Sequence, residues 1–213
     1  MIEPAAVLGP MPPWHQFLDV LPPGEHRALL DWTLANRDRF QPARVLGGVD
    51  PSLRVAATLR DLGPLRSALE ARLLEMLPEI FRRSRVRPFE PEYLELELAA
   101  HGDGAFFSPH TDIPMGQGRK PLGGDARGRH DRLLSAVYYY YREPKAFSGG
   151  ALRLFRFGGA EGPDDRIEVE PKQNSLLVFP SWARHEVMRV DCPSRAFEDY
   201  RFAVNAWFCR SLG

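Results

Sequence analysis

Between Tyr93 and Leu98 the chain reads Tyr-Leu-Glu-Leu-Glu-Leu, a strict alternation of apolar and other side chains. A period of two belongs to an extended strand with one dry and one wet face, because successive side chains point to opposite sides. Seven further strand-prone runs follow: residues 105–112, 133–141, 151–157, 167–170, 175–179, 185–190 and 201–209. Gly and Pro clusters separate them, as turns between short strands require.

The first part of the chain reads differently. Pro22-Pro23-Gly24 opens a segment at 25–39 in which His26, Leu29, Leu30, Thr33 and Leu34 fall at helical spacing. Gly63-Pro64 opens a second helix carrying Leu65, Leu69, Leu73, Met76 and Leu77 on one face, which Pro78 should end or kink. Residues 41–62, with Pro42, Gly47-Gly48 and Asp50-Pro51, read as irregular. The expectation is a mainly β protein with N-terminal α-helices. Residues 1–90 form a helical support, and 91–213 form a double-stranded β-helix (jelly-roll or cupin-like) core within one domain. The helices pack outside one sheet.

Acidic and basic residues balance at 28 each among 213 residues, so no overall field draws in nucleic acid or an anionic membrane. No apolar run approaches the roughly 20 residues of a membrane span. The start of the chain lacks the basic and apolar regions of a signal peptide. Two cysteines, Cys192 and Cys209, are too few for a disulfide framework. A cytoplasmic protein is the expectation.

His110-Thr111-Asp112 and the distant His185 are the candidate metal ligands. On an extended strand, His110 and Asp112 share one face, and His185 would join them from a neighbouring strand. Two imidazoles and a carboxylate suit non-haem Fe(II) and also a hydrolytic zinc ion. Arg201 heads the strand-prone run Arg-Phe-Ala-Val-Asn-Ala-Trp-Phe and shares a face with Ala203 and Asn205. An inward arginine among small residues needs an anionic partner. That partner is either an ordinary acidic side chain or a dicarboxylate co-substrate reaching back from the metal.

Five motifs in order then bear a resemblance. Gly102-Asp-Gly104-Ala-Phe-Phe-Ser-Pro-His110-Thr-Asp112, Arg132-Leu-Leu-Ser-Ala-Val-Tyr-Tyr139, Ser148-Gly-Gly150-Ala-Leu152-Arg, Phe179-Pro-Ser-Trp-Ala-Arg-His185 and Arg201-Phe-Ala-Val-Asn-Ala-Trp-Phe are similar to segments of the Fe(II)/2-oxoglutarate-dependent dioxygenases, in their prolyl-4-hydroxylase-like branch. The resemblance covers residues 93–209. It implies iron at His110, Asp112 and His185, and the distal carboxylate of 2-oxoglutarate at Arg201. Tyr139 falls where the family often places a hydroxyl near that carboxylate, although core packing would also point it inward. Leu152 would be an apolar wall, and Asn205 would line the same pocket.

Further implications are O2 as co-substrate, ascorbate as an accessory reductant, and release of succinate and CO2. Asp112 implies hydroxylation over halogenation, since the related halogenases carry a small residue in its place. The implied substrate is a small molecule, an amino acid, or a peptide- or carrier-tethered intermediate. Alternatives are oxygen-sensing hydroxylation of a protein partner and a zinc-binding, non-catalytic jelly roll.

This chain departs from the pattern at two places. Many relatives have a tyrosine about ten residues before the first histidine, where this chain has Ala100-His101. The stretch from His185 to Arg201 is also longer than usual, which makes Arg195 a rival for the co-substrate role. Among the other histidines, His15 and His26 read as surface residues, His101 is placed to approach the site, and His130 reads first as a solvated loop side chain and second as a substrate contact. The Gly-rich loop 113–131 reads as either a lid or a solvated connection. Its Arg119, Lys120, Arg127 and Arg129 would favour an anionic group on the substrate.

Overall fold

The computed structural model describes residues 9–45, 48–113, 130–158 and 162–211. Along the chain run β1 (His15–Leu18), α1 (Pro23–Ala35), β2 (Gln41–Pro42), β3 (Arg54–Val55), β4 (Ala57–Leu59), α2 (Leu65–Glu75) and α3 (Leu77–Ser84). Then follow β5 (Tyr93–His101), β6 (Phe106–His110), β7 (His130–Tyr140), β8 (Ser148–Gly149), β9 (Leu152–Phe155) and β10 (Arg166–Val169). The chain closes with β11 (Ser175–Pro180), β12 (His185–Val187), β13 (Val190–Asp191) and β14 (Arg201–Ser211). A seven-stranded antiparallel sheet has the order β1-β11-β7-β14-β5-β4-β2, and a five-stranded one the order β10-β9-β12-β6-β3.

The period of two decides which side chains each layer receives. Leu94, Leu96 and Leu98 of β5, Tyr138 and Tyr140 of β7, Leu176 and Val178 of β11, and Phe202, Val204 and Phe208 of β14 project from one face of the large sheet. They form one core with Leu29 of α1, Leu69 and Leu73 of α2, and Ile80 of α3. The alternate residues, Val137, Tyr139, Leu177, Phe179 and Ala203, project the other way and meet Leu152 and Leu154 of β9. Helices therefore cover one face of the large sheet and the small sheet covers the other, which is the double-stranded β-helix arrangement.

Several sequence expectations change. Residues 41–62 are not irregular throughout, since β2, β3 and β4 lie there and extend both sheets. The helix breaks just ahead of Pro78: α2 stops at Glu75, and Pro78 sits in the first turn of a separate α3, where a missing N–H costs nothing. The first helix stops at Ala35, with Arg37–Arg39 forming a separate 3-10 turn. The acidic face of β5 is not simply wet: Glu97 is buried and paired to Arg54 at 3.2 Å and Arg60 at 3.5 Å. The loop read as a lid, and with it Arg119, Lys120, Arg127 and Arg129, lies at 114–129, outside the described residues. Among the described residues no helix is long and apolar enough to cross a membrane.

Candidate active site

β6 and β12 are neighbours in the small sheet, and their register sets His110 directly opposite His185. The ring centroids lie 4.2 Å apart. Pairing of β6 ends at His110, so Asp112 stands just past the strand rather than on it. Its backbone N–H donates to Ser181 O at 3.0 Å, which ties the segment after β6 to the turn between β11 and β12. The result is a cluster of His110, Asp112 and His185 whose donor atoms lie within 4.8 Å of one another. Asp112 Oδ1 is 3.8 Å from His110 Nε2, and Oδ2 is 3.7 Å from His185 Nε2.

Hydrogen bonds behind the cluster fix which nitrogen each ring offers. His110 Nδ1 contacts Ser108 O at 2.8 Å and His185 Nδ1 contacts Ala183 O at 2.9 Å. A carbonyl can only accept, so each Nδ1 carries the proton and each Nε2 presents a lone pair to the cluster. Burial, then the neighbouring His185, pushes His110 down to about 3, so its ring is neutral at physiological pH. Ser135 Oγ donates to Asp112 Oδ2 at 2.6 Å and is itself 2.9 Å from Ser181 Oγ. Burial works against the Asp112 charge. Its two histidine neighbours and hydrogen bonds from Ser135 and Trp207 outweigh that and hold the carboxyl below its usual range. These are the features of a divalent-cation site, with both imidazoles turned to offer Nε2 and a pre-ionised carboxylate beside them.

Below the cluster a cavity of about 50 Å³ runs into the fold, lined in part by Val137, Leu152, Asn205, His101 and Arg201. Arg201 is only 1% exposed, yet it has no acidic partner among the described residues. Its Nη1 contacts His101 Nδ1 at 3.1 Å, while Nε and Nη2 have no hydrogen-bond partner. The guanidinium lies over the Tyr139 ring at 4.8 Å, and the Tyr139 hydroxyl is likewise buried without a partner. Such groups are rare in a folded protein and mark a place for a polar ligand. Gly150 explains how the arginine fits. At φ +69° it has no side chain where a Cβ would meet Arg201 Cδ at 2.6 Å and Nε at 3.0 Å. The rival Arg195 is elsewhere, with an exposed side chain paired to Asp103 at 3.0 Å.

Above the cluster a second, open cleft of about 450 Å³ shares Arg54, Phe107, His110, Asp112 and Trp207 with the cavity. The sequence did not single out Ser135, Ser181 or Trp207, although Ser135 shares an inward face with Tyr139, and Trp207 shares one with Arg201. Arg54 was also missed, because β3 is two residues long and leaves no periodic mark.

Fold and donor set together define a class: a double-stranded β-helix holding a two-histidine, one-carboxylate cluster above a buried seat for an anion. Residues 96–209 match the model of the 2OG-Fe(II) oxygenase superfamily, and the chain belongs to that family. Its enzymes use Fe(II), 2-oxoglutarate and O2, and the unpartnered donors of Arg201 and Tyr139 fit one carboxylate of that dicarboxylate. A PKHD-type hydroxylase of Synechocystis is 37% identical over 155 residues, which are 70% of this chain and 46% of that relative. The chain thus spans a little under half the length of that curated relative. Among solved structures, a Pseudomonas putida prolyl-4-hydroxylase superposes with a TM-score of 0.64 at 24% identity, covering 94% of each chain. A Trichoplax adhaerens prolyl hydroxylase, solved with a hypoxia-inducible-factor peptide, gives 0.60 at 17% identity over 92% of this chain and 82% of that one.

Proposed function

We propose that this chain hydroxylates an unactivated C–H bond of a small molecule, an amino acid or a tethered intermediate, with His110, Asp112 and His185 as the iron ligands. Fe(II) held by these three residues would, with 2-oxoglutarate and O2, supply the oxidant for such a bond, with succinate and CO2 as the co-products. The chain's own residues bind, orient and exclude water. His110 and His185 offer Nε2 lone pairs, and Ser135 and Trp207 hold the Asp112 carboxylate in place. Arg201 and Tyr139 take the distal carboxylate of the co-substrate, Leu152 and Val137 wall its carbon chain, and Asn205 lines the same cavity.

The observation that carries this reading is Arg201: a buried cation with two unpartnered nitrogens, lining the same cavity as the three candidate ligands. A zinc hydrolase has no use for that seat. The substrate side is supported by the size of the outer cleft, about 450 Å³, which is in the range of small-ligand sites. A single side chain of a peptide would also enter it, so a protein substrate is the second reading.

The test is spectroscopic. Fe(II) and 2-oxoglutarate added without oxygen should produce a weak visible charge-transfer band that is lost in His185→Ala and weakened in Arg201→Lys. The assignment falls if no band forms, or if His185→Ala leaves it unchanged. Succinate release screened against amino acids, peptides and a protein fraction then separates the two substrate readings.

A further inference from the structure

Arg201 and His101 are direct register partners on β14 and β5, and both side chains are buried, 1% and 3% exposed. Their contact, Arg201 Nη1 to His101 Nδ1 at 3.1 Å, joins an arginine to a histidine with no carboxylate between them. A guanidinium only donates hydrogen bonds and does not lose its proton inside proteins. His101 Nδ1 must therefore be the acceptor, and the ring's single proton must sit on Nε2.

Which edge of the guanidinium remains matters. Nε–H and the outer N–H of Nη2 lie side by side on one edge of the plane, and this pair matches the two oxygens of a carboxylate. Those are the two Arg201 nitrogens without a partner. Nη1, on the other side, is taken by His101. Gly150 lies against Cδ and Nε and, with no Cβ of its own, lets the arginine stem pass between it and Val190.

Resting on the assignment of Arg201 as the co-substrate seat, we infer that His101 is the positioning residue of that seat. It engages Nη1 and so turns the Nε/Nη2 edge of Arg201 toward the cavity for bidentate capture of a carboxylate. A hydroxyl at this place could hold Arg201 only by giving it a lone pair while still finding an acceptor for its own proton. The imidazole accepts from Arg201 on one nitrogen and retains a donor on the other, on a ring that lines the cavity. Burial first, then the positive charges of Arg201 and Arg54, keep the ring neutral by pushing its pKa well below the usual histidine value.

The experiment measures 2-oxoglutarate binding by calorimetry on the Zn(II)-loaded protein without oxygen, alongside KM and kcat of the Fe(II) enzyme. His101→Phe keeps the ring shape and removes the acceptor. It should raise the dissociation constant and KM at least 10-fold with kcat changed less than 3-fold. His101→Gln, whose amide oxygen can accept from Nη1, should recover most of the loss. Arg201→Lys is the control: if it weakens binding and His101→Phe does not, the inference is overturned while the function stands. If neither variant weakens binding, the seat itself is misassigned. Should His101→Phe fail to fold, nitrogen-15 NMR of the intact protein at pH 7 decides the tautomer. A proton on Nδ1, or a charged ring, overturns the inference.

Discussion

Gly150 is the residue on which the anion seat turns. The chain passes it at φ +69°, a left-handed conformation that costs an alanine about 1–2 kcal/mol. Its missing Cβ is also the space in which the Arg201 stem lies. Gly150→Ala should therefore combine a stability loss of about 2–4 kcal/mol with a 10-fold or greater loss of 2-oxoglutarate affinity. Gly149 makes a matched control. It has φ +68°, and a Cβ there would meet Arg189 O at 2.4 Å, away from Arg201. Gly149→Ala should lose comparable stability and keep its affinity. Denaturant midpoints and calorimetric titration of both variants check the pair, and equal affinities would show that Gly150 does not shape the seat.

At the scale of elements, the three central strands β7, β14 and β5 divide stability from chemistry by alternation. Leu98 of β5 is fully buried under the helices. Leu98→Ala should cost about 2–5 kcal/mol and leave co-substrate affinity unchanged. Ala203 of β14 faces the other way and pairs with Tyr139 in register. Ala203→Leu should crowd Tyr139 and Arg201 and cut affinity at least 10-fold, although its overpacking cost is only about 1–3 kcal/mol. Urea melts and binding titrations would reveal a failure of this division if both variants altered both quantities.

The same alternation explains what could be read from sequence. Long strands such as β5, β7 and β14 announce themselves because nine or eleven residues repeat the pattern. β2 and β3, at two residues each, are defined by their partners and carry no pattern of their own. The ligand candidates were legible as residue types, whereas the pairing of His110 with His185 depends on register between strands some 75 positions apart, which no local spacing encodes. His101 was legible as a departure and as a histidine able to approach the site, but not as the partner of Arg201. Its contact with Arg201 needs the pairing of β5 with β14, and its neutrality needs the burial that the whole fold supplies.

For the molecule as a whole, that burial has a consequence in pH. His101 binds protons far less readily folded than unfolded, and metal-free His110, pushed down to about 3, behaves alike. The unfolded chain therefore takes up more protons once the pH falls below the ordinary histidine value of about 6.5. The stability these two neutral rings contribute is complete above about pH 7.5. It is lost as pH falls through 6.5 toward their depressed folded-state values, at about 1.4 kcal/mol per pH unit for each ring. His15 and His26 shift the same way, again mainly through burial, but they are more solvated and add little. Metal-free protein should thus lose about 3 kcal/mol between pH 7.5 and 5.5, a window above the titration of ordinary carboxylates. Metal binding at His110 blocks its protonation and adds its own stabilisation, so the loaded protein should show a shallower decline over that window. His101→Gln should remove about half of the decline in the metal-free protein. Urea midpoints at the two pH values, with and without Zn(II), measure each part, and a flat profile in the metal-free protein would show that these rings are not buried neutral.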